Sequence, residues 1–314
     1  MKNKLIISLT TIPSRIDNIE PILDSLINQE IKPDMIYINV PKKYKRFKET
    51  IKVPDFINEK FSKQVKIYYL DKDYGPATKF IGGLLNKEIK KNDMLVITDD
   101  DVIKTKDWLK ILLDNHKNNR ITSFVERELG EEILWGYLGY IFQRKIINLN
   151  DIIHFFNKVK SECYYIDDHW FTGYCHYRKI KIYNIPIDID KINFNFNHGI
   201  SIDSLVMMDG KNNRGLLSFK CRNIIKKKFN TEFPFWCCLG CCENQKEINF
   251  NNQSIFSKYK ICIQLVCFFI IKLIICTCLS KYNLLSTKHY WKMIKILVLY
   301  YFLNIVIIFL YYKI

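Results

Sequence analysis

No cysteine precedes Cys163 in this 314-residue chain, and no acidic residue follows Lys258. The N-terminus has no long apolar run. Leu5 to Leu9 is followed at once by Thr10 and Thr11, whereas a signal-peptide core needs roughly 7–15 apolar residues. The segment Thr10–Arg15 contains no glycine. Each absence excludes something. A front half without cysteine is no disulfide scaffold and suits reducing surroundings. The short apolar start is a first β-strand, not a leader. A glycine-rich loop after that strand is ruled out.

Hydrophobic residues make up 48% of the chain and charged residues 25%, close to globular averages, so most of the chain folds. Its length allows one large domain or two modest ones. The formal net charge is +16, but Lys and Arg are spread along the chain. Eight lysines lie from Lys258 onward, so half of the net charge sits in the apolar tail. Anionic lipid and a diphosphate group account for this charge better than nucleic acid does.

Strand and helix patterns alternate in the front half. Leu5–Leu9 reads as a buried strand, and Ile16, Ile19, Leu23, Leu26 and Ile27 recur at helical spacing. Met35–Val40 and Val65–Leu70 are further strands, separated by a basic, polar stretch from Lys42 to Lys63. Gly75 and Pro76 mark a turn, and Pro76 suits the first helical position. The helix that follows carries Phe80, Leu84, Leu85 and Ile89. Met94–Thr98 is a fourth strand. This alternation predicts an α/β fold with a mainly parallel sheet, whose ligands bind at the carboxyl ends of strands. Residues 121–200 are less regular and richer in aromatics, as expected of a second half-domain laid against the first to hold an acceptor.

The tail differs. Ile261–Leu279 and Ile294–Tyr312 are mostly apolar, and each is near the roughly 20 residues that cross a bilayer. Lys272 weakens the first. The predicted division is a catalytic domain over 1–220, a basic, Cys-rich juxtamembrane linker over 221–257, and a membrane anchor with one or two helices over 258–314. Cys237, Cys238, Cys241 and Cys242 lie beside basic residues and ahead of an apolar segment. That favours acylation over one zinc ion, with free thiols as a third option.

Asp99-Asp100-Asp101 directly follows the fourth strand. Three adjacent carboxylates repel one another, and more strongly in a cleft than in water. A divalent cation offsets that repulsion, and hard oxygen ligands suit Mg²⁺ or Mn²⁺, which bind phosphate oxygens in turn. An acidic turn capping a helix is the plainer alternative. Upstream, the Gly75-Pro76-Ala77 turn opens a helix whose backbone N–H groups can approach an anion, and Lys79 adds positive charge. Downstream, Asp167 and Asp168 stand beside His169 and Trp170. A carboxylate there is a candidate general base; an acid-rich helix N-terminus is the alternative.

Taken in order, Thr10–Arg15, Tyr74–Lys79, Asp99–Val102, Trp135–Tyr140 and Asp167–Trp170 resemble GT-A fold glycosyltransferases. They are most similar to the family 2-like enzymes and their giant-virus and bacterial relatives, over residues 4–185. The resemblance implies a three-layer sandwich with a mainly parallel central sheet. It implies transfer of a sugar from a nucleotide-diphospho-sugar to a glycan, lipid or protein acceptor, metal-dependent and inverting. Asp99, Asp100, Gly75, Lys79 and Arg15 would hold the donor, and Asp101, Asp99 and His198 the Mn²⁺ or Mg²⁺. Trp135, Gly136 and Trp170 would face the acceptor, with Asp168 or Asp167 as base. The helix start departs from the family pattern: Ala77-Thr78-Lys79 replaces Ala-Arg-Asn.

Two rivals stand beside this reading. A nucleotidyltransferase on a similar fold would share the acidic metal site, but calls for the glycine-rich loop that Thr10–Arg15 lacks. An inactive membrane scaffold would keep the fold and bind no donor. The expected location is a membrane with the catalytic part in the cytosol, and glycosylation of Asn252 in its sequon would overturn that side.

Overall fold

The structure, a computed structural model, describes residues 3–126, 133–187, 195–196, 205 and 214–231. All of them fall in the first of two compact units, 1–244; the second spans 245–314.

Seven strands form the central sheet: β1 (Leu5–Thr10), β2 (Met35–Pro41), β3 (Val65–Leu70), β4 (Met94–Ile97), β6 (Arg120–Glu126), β7 (Tyr140–Gln143) and β8 (Lys181–Ile187). Their order is β3-β2-β1-β4-β7-β6-β8. β1, β2, β3 and β4 pair in parallel, β7 pairs antiparallel to both β4 and β6, and β8 pairs parallel to β6. Six strands therefore share one direction and only β7 opposes them. β5 (Val102–Ile103) and β9 (Asn195–Phe196) form a separate antiparallel pair.

β1 is mostly apolar, with Ser8 its one buried polar residue, because it lies inside the sheet and is covered on both faces. Its side chains alternate. Ile6 joins a core with Phe80, Phe155, Phe156, Trp170 and Phe171, whereas Leu5, Ile7 and Leu9 join Leu23, Leu26, Trp108 and Leu112 on the other face. The first core is covered by α3 (Thr78–Leu85), α5 (Leu149–Cys163), α6 (Asp167–Tyr177) and α7 (Arg214–Phe229). The second is covered by α1 (Glu20–Ile27), α2 (Asp55–Phe61) and α4 (Trp108–Asn115). The result is a mixed α/β sandwich of three layers.

The four expected strands appear at their predicted places. Three readings change. The polar stretch before β3 contains α2, whose inner face carries only Ile57 and Phe61, too short a pattern to stand out. The described residues after 120 form no separate half-domain; β6, β7 and β8 continue the same sheet. Cys163 and Cys221 form a disulfide joining α5 to α7, a bond that the reading of reducing surroundings did not include. Because these residues lie 58 positions apart, their spacing gave no sign of the pairing. Among the described residues no helix is long and apolar enough to cross a membrane. The predicted spans, the Cys237–Cys242 cluster and Asn252 lie outside the described residues.

Candidate active site

The sheet has one switch point. β2 and β3 extend to one side of β1, and β4 lies on the other side. Parallel sheets open a crevice at the carboxyl ends of such neighbours. Thr10–Arg15 leaves β1 there, and Asp99–Asp101 leaves β4 there. The two segments meet: Arg15 Nη1 donates to Asp100 Oδ1 at 2.9 Å and to Asp101 Oδ2 at 3.0 Å. β5 fixes the acidic run from its other end.

Lys79 forms the second half of the site. It lies on α3, and its side chain is 2% exposed. Its ammonium donates to Asp99 Oδ1 at 2.6 Å, sits 2.7 Å from Asp167 Oδ2 and lies 3.8 Å from Asp168 Oδ1. The contact with Asp167 is an ion pair without good hydrogen-bond alignment. The sheet explains how a lysine is held so deep. A Cβ on Gly82 would lie 2.3 Å from Asn39 Oδ1, and one on Gly83 2.9 Å from Ser8 Oγ. With no side chain at either glycine, α3 packs directly on β1 and β2. Ser8 Oγ then donates to the Lys79 carbonyl at 2.5 Å, and Asn39 Nδ2 donates to Ser8 Oγ at 2.8 Å.

Gly136 closes the gap between the two halves. Its carbonyl accepts from the Asp99 N–H at 3.2 Å, and its own N–H donates to Asp168 Oδ1 at 3.1 Å. Asp167 and Asp168 occupy the first turn of α6, where the helix dipole favours negative charge. Thr172, one turn on, donates to the Asp168 carbonyl at 2.7 Å and accepts from the Leu134 N–H at 3.0 Å. Arg214, at the start of α7, lies 3.4 Å from Asp168 Oδ2.

Electrostatics separate the carboxylates. Burial and the neighbouring Asp167 raise the Asp168 carboxyl to about 7, against the pull of Lys79. Burial, with Asp100 and Asp99 alongside, lifts Asp101 to about 6. Burial also pushes Asp99 up, but Lys79 outweighs it and holds the group below its ordinary value. Burial lowers the Lys104 ammonium to about 7, although Asp99 and Asp101 oppose this. Lys104 donates to the Tyr137 carbonyl. Burial, Arg214 and Arg222 depress His169 to about 3, so its imidazole is neutral near pH 7.

Five carboxylates thus face the full charges of Arg15, Lys79 and Arg214. Among the described residues these carboxylates outnumber the full positive charges, and Lys104 adds a partial one. Asp100 Oδ2 is buried and has no hydrogen-bond partner among the described residues. An all-carboxylate donor set with an orphaned oxygen fits a hard divalent cation in charge and chemistry. Among the described residues no group of three or more His, Cys, Asp or Glu side chains is arranged as a metal site. His198, the third ligand suggested by the resemblance, lies outside the described residues.

The structure brings together Arg15, Lys79, Asp99, Asp100, Asp101, Gly136, Asp167 and Asp168. Trp135 borders them: its ring meets His169 edge-on at 5.9 Å, and its indole N–H has no hydrogen-bond partner among the described residues. Trp170 does not face the site. It is fully buried against Phe80, Phe155 and Phe156, so an acceptor cannot reach its ring and it packs the core instead. Gly75 serves the backbone. It has φ +62, and a Cβ there would lie 2.8 Å from the Tyr164 carbonyl. Ser8, Asn39, Lys104, Thr172 and Arg214 were not read from the sequence. Ser8 and Asn39 carried a signal, as polar residues in apolar strands; Arg214 carried none.

No family model matches the sequence, and no curated protein matches it. Solved structures do align. One is the mannosyltransferase PcManGT from Pyrobaculum calidifontis in complex with GDP-Man and Mn²⁺, with TM-score 0.42 and 14% identity over 59% of this chain and 56% of that one. Another is S. aureus TarS 1–349 in complex with UDP, with TM-score 0.41 and 16% identity over 59% and 58%. A third is the glycosyltransferase GlyE in Streptococcus pneumoniae TIGR4, with TM-score 0.37 and 13% identity over 60% and 46%. The chain spans less than two thirds of the length of each. At this distance function has to be read from the site itself.

Proposed function

We propose that this chain is a glycosyltransferase that moves a sugar from a nucleotide-diphospho-sugar to an acceptor hydroxyl, with inversion at the anomeric carbon. One observation carries the reading. At the switch point of the sheet, an acidic run held by Arg15 and Lys79 stands beside a separate carboxylate raised to about 7. The two acidic groups suit two roles.

The run Asp99–Asp101 suits the donor diphosphate. Asp100 and Asp101 would hold a divalent Mn²⁺ or Mg²⁺, which when bound offsets negative charge on the leaving diphosphate. Arg15 fixes these two carboxylates and Lys79 fixes Asp99 before the donor arrives, so little reorganisation is left for the reaction. Asp168 suits the acceptor. A base works best when its proton affinity lies near the working pH, and burial beside Asp167 supplies that. As the acceptor oxygen bonds to the anomeric carbon, its proton passes to Asp168 and the bond to the diphosphate breaks. Trp135, half-buried beside His169, is the aromatic nearest to Asp168 that we assign to the acceptor side.

The test is a donor screen on the purified full chain with Mn²⁺ or Mg²⁺, reading nucleotide diphosphate release and product configuration. Asp101→Asn is expected to abolish metal-dependent release. Full activity in that variant overturns the donor assignment, and a product with retained configuration overturns Asp168 as base.

A further inference from the structure

Away from the acidic centre, three lysines from separate segments converge. Lys45 follows β2, Lys72 follows β3 and Lys160 lies on α5. Asn157 Oδ1 accepts from Lys72 Nζ and from Lys160 Nζ, each at 3.5 Å, so the two ammonium groups lie near each other. Lys45 Nζ sits 4.3 Å from the centre of the Tyr164 ring, and Lys72 Nζ 5.0 Å from that of Tyr74. The loops are locked beneath them. Asp73 accepts from the Lys45 N–H at 2.7 Å and from the Gly75 N–H at 2.7 Å, which commits its carboxylate to the backbone. Among the described residues no carboxylate pairs with Lys45, Lys72 or Lys160. Burial, and to a lesser degree the nearby Lys160 and Lys45, pushes the Lys72 ammonium below its ordinary value.

The band continues onto α7. Lys228 Nζ donates to the Lys158 carbonyl on α5 at 2.6 Å, and Lys226, Lys227 and Lys228 are exposed. The chain beyond α7 carries the apolar runs 261–279 and 294–312, with lysines and no acids around them. Position matters as well. β2 and β3 run parallel to β1 and β4, so Lys45 and Lys72 leave the same edge of the sheet that holds Asp99–Asp101.

We infer that the face formed by Lys45, Lys72, Lys160 and the basic end of α7 docks on a bilayer surface bearing anionic lipid headgroups. Its charge complements such a surface, and the chain leaving α7 is the part of the sequence most suited to lipid. Docking would hold the carboxyl edge of the sheet toward the headgroups. The inference does not depend on sugar transfer.

The experiment is amine labelling of the full chain, without donor, in nanodiscs of phosphatidylcholine alone or of equal phosphatidylcholine and phosphatidylserine. Lys45, Lys72 and Lys160 are expected to lose labelling several-fold in the anionic discs only, and to regain it at high salt. Lys72→Ala is expected to lower the docked-to-undocked ratio, read at Lys45 and Lys160, by about fivefold. Equal labelling in both discs overturns the inference. Inorganic phosphate giving the same protection in neutral discs also overturns it, in favour of a soluble anion. Asp168→Asn is expected to leave the labelling unchanged, which separates this result from the fate of the transferase reading.

Discussion

A Cβ placed on Gly136 would lie 2.4 Å from Lys79 Nζ and 2.6 Å from Asp99 Oδ1. The glycine is therefore the space in which the lysine meets its carboxylates. Gly136→Ala must displace the ammonium or the 133–139 segment. Misplacement by an ångström costs on the order of a hundredfold in rate. We expect such a loss in kcat/KM for donor turnover, measured as nucleotide diphosphate release, with a smaller effect on Tm.

Lys79 is charged and buried among Asp99, Asp167 and Asp168. Burial works against its charge, but the three carboxylates outweigh burial and raise its proton affinity. Lys79→Met removes the charge and leaves the carboxylates facing one another. Breaking a buried pair in this way costs about 3–5 kcal/mol. Urea unfolding is expected to show that loss, and Asp99→Asn in the same chain to recover part of it. Strict additivity would show that the two side chains are not coupled.

Asp168 governs a pH dependence. Its folded carboxyl titrates at about 7, so the base becomes available as pH rises through that value. Transfer is expected to climb with pH to a plateau above it. Asp168→Asn is expected to lower kcat by about 10²–10⁴-fold and to remove the titration, while calorimetry still shows donor binding. The stability effect has the opposite sense. A raised carboxyl favours the folded state at low pH, and that contribution is lost as pH climbs from the unfolded value toward 7. Asp168→Asn is therefore expected to gain stability over the parent at pH 8 and little at pH 4, read as Tm in paired buffers.

Cys163 and Cys221 tie α7 to α5 across 58 residues, and α7 carries Arg214. Closing a loop of that length is worth about 4 kcal/mol in the chain-entropy model. Cys221→Ser is expected to lower Tm and to speed proteolysis within α7. A variant that unfolds in urea like the parent would remove any structural role for the bond.

Much of this molecule was legible in order. The runs 5–9, 35–40 and 94–97 are strands because a parallel sheet covered on both faces demands near-continuous burial, whereas 65–70 forms the half-exposed edge strand. The acidic run was legible as a concentration of charge that needs an offset, which Arg15 and Lys79 supply in the fold. Trp170 misled, since an aromatic beside two acids reads equally as a wall of a site or as core. Arg214 gave no signal, because its partner lies 46 positions away. Lys79 gave a weak one, since helix lysines are commonly solvated.

The sequence alone determined which segments are strands, that positions 99–101 concentrate negative charge, and that the tail is apolar and basic. Local order and composition suffice for these, because burial period and charge density are properties of short stretches. Only the tertiary structure decided that Lys79 neutralises Asp99 and Asp167, that Arg15 spans Asp100 and Asp101, and that Asp168 is raised to about 7. Those facts depend on distance and dielectric, and both are set by how α3, α6 and α7 pack on the sheet.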